Sequence, residues 1–423
     1  MPWKVGPMFL SKFRRFLVVI ASVAVLSALV SCTGIGLNDS ATGQITMSSA
    51  ETSMALTGED ESNTTPGITV APETTESTTP ENFCSENFRL LRAKEILSEM
   101  STRQKVGQMF FASWVNGDVQ AETEKWHFGG IVLFAPDFEK SDPESVRAAI
   151  VSYQEASEIP MLIGVDEEGG TVVRISRFPQ FREDRYMSPQ ALFERGGMDA
   201  IRADTADKSE FLLYLGINVN LAPVCDVSTD STDFIFKRSF GKDAEATAEY
   251  AKVVVAEMKQ AGIGCSLKHF PGYGNNADTH TGIAEDLRDY ESFVRSDFMP
   301  FRSGIEAGAG SVMVSHNIIF CMDKELPASL SPEVHRILRE ELGFDGVIMT
   351  DDLSMGAIKD HAGDRRAAVL AILAGNDMLI GSSYAEQIPE VLDALQSGEI
   401  DEEIIDEAVI RILLWKMDLG LIE

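Results

Sequence analysis

Residues 161–170 read Met161-Leu-Ile-Gly-Val165-Asp166-Glu167-Glu168-Gly169-Gly170. Apolar and small residues are followed at once by three carboxylates and two glycines. The first half fits a short buried strand, and the second fits a tight, charged loop. The same grammar recurs along the chain. Residues 217–221 run into Ala222-Pro-Val-Cys-Asp226, and 264–268 into His269-Phe-Pro-Gly272. Residues 311–314 run into Ser315-His316-Asn317, and 346–349 into Thr350-Asp351-Asp352. Further apolar runs at 108–112, 130–134 and 377–380 complete a set of eight. Helical patterns lie between them, among others at 143–158, 244–261, 332–342 and 364–374. Eight strands alternating with helices over about 335 residues predict a parallel (β/α)8 barrel. An open doubly wound sheet is the alternative, but one uninterrupted core of this length favours closure. Helical patterns at 384–395 and 402–419 follow the last strand, and no second C-terminal domain is expected.

Composition narrows the partners. With 36 basic and 66 acidic residues the net charge is −30. Nucleic acid is an unsuitable partner, because phosphate binding needs clustered Lys and Arg. The same charge argues against recruitment to anionic lipid through a basic surface. A hydrophobic content of 44% and a charged content of 24% fit a folded protein with a sizeable core.

The first residues read as an address. Lys4, Lys12, Arg14 and Arg15 precede an apolar run over 16–30, long enough for a signal peptide and short for a membrane span. It ends in Leu29-Val30-Ser31-Cys32, which resembles the bacterial lipobox, in which the Cys is lipidated and heads the mature chain. An uncleaved anchor helix is the alternative. Residues 33–83 are about a third Ser or Thr, with eight acidic residues and no Lys or Arg. Such a segment buries too little to offset its ordering entropy and reads as a disordered spacer. The expected organisation is a signal peptide over 1–31, a linker over 32–87 and one catalytic domain over 88–423. The protein is expected to be exported and lipid-anchored at Cys32 on the extracytoplasmic face of the bacterial membrane. Of the other cysteines, Cys225 and Cys265 lie in strand-like runs and are expected to be buried free thiols; a Cys84–Cys321 pair is possible by count alone. The absence of a Cys-x-x-Cys motif argues against structural zinc.

In a barrel, chemistry sits where strands end and loops converge. Five of the eight predicted strands end in carboxylate, His or Lys, groups that are costly to bury unpaired. One shared site explains them more economically than five separate structural roles.

These residues carry a family resemblance. Asp166-Glu-Glu-Gly-Gly with Arg174 resembles the D-x-E-G-G-x-x-x-R signature of glycoside hydrolase family 3. Lys268-His-Phe-Pro-Gly-Tyr-Gly, followed by Asp278-Thr279-His280, resembles the segment special to its β-N-acetylhexosaminidase branch. Gly346 through Met355 resembles the nucleophile segment, and Ala222 to Asp226 and Arg238-Ser-Phe-Gly match two more blocks in order. The resemblance covers residues 95–420. Tyr273 and Thr171 depart from the commonest pattern, where His and Arg stand.

A retaining glycosidase needs a carboxylate nucleophile and a proton donor at the glycosidic oxygen. Asp351 and Asp352 are adjacent at a strand end, so only one should face the sugar. Spacing leaves the choice open; the resemblance assigns the nucleophile to Asp351 and leaves Asp352 to support the loop. No second carboxylate stands out as acid. His280 is the better candidate, with Asp278 two residues earlier to orient it. The resemblance implies this same dyad, and makes Asp166, Arg174, Arg238, Lys268 and His269 ligands of a terminal N-acetylglucosamine. His316 reads as a site-wall residue and Asp226 as structural. The implied activity is removal of terminal N-acetylglucosamine from peptidoglycan or chitin fragments, by a monomer without cofactor or metal. A β-glucosidase or other exo-glycosidase of the family, or a phosphorylase using phosphate as acceptor, are the alternatives. A zinc hydrolase lacks the expected ligand spacing, and a sugar-binding lipoprotein without turnover would normally have two lobes.

Overall fold

The computed structural model describes residues 80–113, 117–276, 284–362 and 366–423. The leader, Cys32 and most of the spacer lie outside the described residues, as do Asp278 and His280.

Eight barrel strands are present: β1 (Phe110–Ser113), β2 (Gly130–Leu133), β3 (Leu162–Val165), β4 (Val219–Asn220), β5 (Gly264–Phe270), β6 (Ser311–Val314), β7 (Val347–Thr350) and β8 (Leu379–Gly381). Their order is β8-β1-β2-β3-β4-β5-β6-β7, and every neighbouring pair is parallel. A parallel bridge between Met349 and Met378 closes β7 onto β8. The predicted closed barrel is therefore correct, and the open sheet is not. The strands read as unbroken apolar runs because both of their faces are buried. Glycine makes room for the barrel filling at two points. A Cβ on Gly164 would lie 2.5 Å from the Phe111 ring, and one on Gly130 2.8 Å from it. The aromatic side chain occupies the space that two neighbouring strands leave open.

The helices form the outer layer. Ala244–Ala261 matches the predicted span. Asp243 caps it by accepting from Ala246 N at 3.0 Å, and Gly262 stops it at φ 78°. Val254, Val255, Ala251 and Met258 are buried beneath it. The helix Glu402–Asp418 opens on Asp401, as its acidic first turn predicts.

Two long helices were among those not legible. One runs from Pro80 to Glu99 and so begins within the stretch read as spacer. Ala93 and Leu97 are buried, and Arg89 donates to the Leu414 carbonyl at 3.1 Å. Docking on the C-terminal helix stabilises it, a tertiary effect that local composition does not reveal. The other, Pro189–Leu215, is interrupted at Gly196 and Gly197, whose φ/ψ values are non-helical. Those glycines break the apolar period. Cys225 and Cys265 are buried free thiols, as expected, and Cys321 is an exposed free thiol. Among the described residues no helix is long and apolar enough to cross a membrane.

Candidate active site

Three consecutive acids after β3 have different fates. Successive side chains leave a strand on opposite sides. Glu167 points into the protein and is fully buried. Its carboxylate accepts from the backbone N–H of Arg174 at 2.7 Å, Ile175 at 2.9 Å and Ser176 at 3.2 Å. This folds the loop back on itself and sets where Arg174 begins. Asp166 and Glu168 share the other side. Asp166 meets Lys268 at 2.7 Å and Arg174 at 3.1 Å; Glu168 meets Lys268 at 2.7 Å and Arg238 at 2.7 Å.

The ladder between β5 and β6 shifts register between Leu267 and Phe270. An irregularity of this kind re-aims side chains. Lys268 and His269, although consecutive, both line the same cavity. Lys268 is only 2% exposed, yet its ammonium lies between two carboxylates. Burial by itself raises the Asp166 carboxyl, but Lys268 and Arg174 outweigh it and hold it well below the ordinary range. Glu168 behaves alike: burial raises it, and Arg238 and Lys268 bring it down to about 2. Arg238 is pulled down by burial and pushed up more strongly by Glu168. The result is a chain of contacts between acidic and basic side chains, Arg174–Asp166–Lys268–Glu168–Arg238.

Asp351 and Asp352 follow β7. The Asp351 Oδ1 accepts the Asp352 N–H at 2.8 Å. Asp352 is engaged by its own loop and by β1, two strands away: Oδ1 accepts Ser354 N–H at 2.8 Å and Oδ2 accepts Ser113 Oγ–H at 3.1 Å. Below them His316 is fully buried, with Nε2 donating to the Asp352 carbonyl at 3.0 Å and Nδ1 against Ser329 Oγ at 2.7 Å. It braces the loop that carries the acids.

The strand ends enclose a cavity of about 510 Å³. Asp166, Arg174, Arg238, Lys268, His269 and Asp351, all singled out from sequence, line it together. Phe134, Phe234 and Met355 give it an apolar rim, and the Arg174 guanidinium lies 5.5 Å from the Phe134 ring centroid. Glu168 was missed as a member of the charge network, although Asp-x-Glu at strand spacing already places it beside Asp166. Asp226 is fully buried and holds His269, with Oδ2 2.7 Å from Nδ1. Among the described residues no group of three or more His, Cys, Asp or Glu is arranged to hold a metal ion.

Carboxylates, an ammonium and guanidinium groups on rigid strand ends suit a ligand rich in hydroxyls. A mouth of this kind, with an acid pair at the end of β7, suits glycoside hydrolysis. The chain belongs to glycoside hydrolase family 3: residues 101–414 match the model of the glycosyl hydrolase family 3 N-terminal domain. It is 32% identical over 331 residues to the β-hexosaminidase LpqI of Mycobacterium tuberculosis, covering 75% of this chain and 83% of that one. It is 34% identical over 276 residues to a β-hexosaminidase of Methylococcus capsulatus, covering 64% and 80%. Among solved structures, a family 3 β-N-acetylglucosaminidase from Paenibacillus sp. superposes with a TM-score of 0.70 at 31% identity. That match covers 76% of this chain and 63% of the other.

Proposed function

We propose that this protein is an exo-acting, retaining β-N-acetylglucosaminidase that removes terminal N-acetylglucosamine from peptidoglycan or chitin fragments. The observation that carries the reading is the shared cavity: Asp351 faces the same 510 Å³ space as Asp166, Arg174, Arg238 and Lys268. The names of its relatives support the choice of sugar. Asp166, Arg174, Arg238 and Lys268 hold the sugar hydroxyls and acetamido group by charge-assisted hydrogen bonds. His269 belongs to the same pocket. Asp351 attacks the anomeric carbon and forms a glycosyl ester as the glycosidic bond breaks. His280, oriented by Asp278, gives its proton to the departing oxygen. It then takes a proton from water, which cleaves the ester with net retention. Asp352 supports the loop. We further infer that residues 88–423 form the catalytic domain, that 1–31 are a signal peptide and 32–87 a linker. In this reading the exported, monomeric enzyme is tethered to the membrane through lipid on Cys32.

The test is product analysis with aryl N-acetylglucosaminide and aryl glucoside, each with and without phosphate. Release of free N-acetylglucosamine from the first alone, independent of phosphate, is expected. Preference for the glucoside, or a sugar phosphate as product, would overturn the reading.

A further inference from the structure

The His269 ring is held from both sides. Nε2 lies 3.0 Å from Arg238 Nη2, and Nδ1 lies 2.7 Å from Asp226 Oδ2. A guanidinium can only donate, so Nε2 must accept and carries no proton. The ring proton therefore sits on Nδ1 and is given to Asp226. The second oxygen of Asp226 is also committed, because Oδ1 accepts the Tyr273 N–H at 2.8 Å. One buried carboxylate behind the cavity wall thus grips both ends of the turn from His269 to Tyr273. The Tyr273 ring packs edge-on against His269, with centroids 5.2 Å apart.

Arg238 is the cavity residue at the end of this chain. Glu168 holds it through Nε at 3.1 Å and Nη2 at 2.7 Å. The lone pair of His269 Nε2 supplies a further acceptor, from a different direction. Two acceptors, one in the loop after β3 and one on β5, fix the plane of the guanidinium, whereas one carboxylate leaves it a hinge.

We propose that Asp226 is a positioning residue for the sugar site: it fixes the tautomer of His269, and through that lone pair the orientation of Arg238. Among the described residues, His269 is the cavity residue to which Asp226 is hydrogen-bonded. The inference deepens the proposed function by adding a residue that acts on substrate only through two others.

The chemistry singles out Asp226→Asn. The wild-type site presents two N–H donors, Tyr273 N–H and His269 Nδ1–H, to two carboxylate oxygens. An amide offers only one oxygen. The Tyr273 N–H cannot move its proton, but the imidazole can. The amide oxygen therefore stays with Tyr273, and its NH2 turns to Nδ1. The ring proton then shifts to Nε2, where it faces the N–H of Arg238, donor against donor, and the guanidinium is displaced.

Two measurements test this. The first is the 15N spectrum of the ring nitrogens in the full-length wild-type enzyme, with His269 assigned among six histidines by its loss in His269→Gln. A protonated Nδ1 and unprotonated Nε2 are expected; the opposite tautomer or an imidazolium would overturn the inference. The second is the kinetics of Asp226→Asn on aryl N-acetylglucosaminide. An inverted tautomer and a fall in kcat/KM of about 10–100-fold, mostly in KM, are expected from a displaced binding group. In a His269→Gln background the glutamine oxygen accepts from Arg238 without a tautomer to choose, so Asp226→Asn should cost less than about threefold more. Equal losses in both backgrounds would make Asp226 merely structural. The spectrum needs no turnover, so it decides the tautomer even if the proposed activity fails.

Discussion

Two clusters of buried charge sit at opposite ends of the barrel. At the floor, Asp377 precedes β8. Its Oδ2 accepts Ile348 N–H at 2.8 Å and Arg339 at 2.6 Å, and its Oδ1 accepts Arg411 at 3.0 Å. Arg339 also donates to the carbonyls of Phe344 at 2.8 Å and Gly346 at 2.6 Å. This cluster is tied to the backbone and fastens strand starts. At the mouth, the bonds of Asp166 and Glu168 run from side chain to side chain. Such groups can shift toward a ligand without unmaking the barrel. Burial and charge therefore do not mark the site; what marks it is the Asp166–Lys268–Glu168 network, bonded side chain to side chain beside an open cavity.

The largest contrast is between two aspartates. Asp351→Asn should lower kcat by at least about 10³-fold, by analogy with loss of a nucleophile elsewhere, while leaving the melting temperature within a few degrees. Asp377→Asn should do the reverse. Weakening a buried carboxylate that holds two arginines costs about 3–5 kcal/mol, whereas kcat per folded molecule stays within about twofold. Equal effects on melting and turnover in both variants would erase the distinction between floor and mouth.

A smaller effect sharpens the membership of the mouth. Glu168→Gln weakens the hold on Lys268 and Arg238, and kcat/KM should fall about 10–100-fold. Unchanged kinetics with lowered stability would move Glu168 into the structural group.

The smallest effect lies at the floor. Lys416 is fully buried, with Nζ 2.7 Å from Gln108 Oε1. Burial lowers it from 10.5 to about 7. Between pH 7 and 10.5 the unfolded chain holds this proton and the folded chain does not, so stability rises with pH across that window. Lys416→Met should raise the melting temperature by a few degrees at pH 7, with a gain that shrinks toward pH 10. A gain that does not depend on pH would contradict the assignment.

The same contrast explains what could be read in advance. The strands were legible because burial on both faces writes a short, mostly apolar run into them, although Asn218 and Asn220 interrupt it at β4 and Ser266 at β5. Asp166, Lys268 and Asp351 were legible because polar residues at strand ends have few other uses. Glu168 was overlooked beside Glu167, since a run of three acids does not say which one folds the loop. Two relations needed coordinates: the grip of Asp226 on His269 and that of His316 on the Asp352 carbonyl. Each joins segments far apart in the chain, with no periodicity to announce it. The helix from Pro80 was hidden because docking, not composition, stabilises it.

The central claim is that Asp351 forms the bond to the sugar. A 5-fluoro-N-acetylglucosaminyl fluoride tests it most directly. Its ring fluorine slows both steps by destabilising positive charge at the anomeric carbon, while fluoride departs readily, so the ester accumulates. Intact mass followed by peptide mapping should find one sugar per chain, on Asp351. A label on Asp352 or any other residue, or steady turnover through an enzyme lacking the Asp351 carboxylate, would contradict the account.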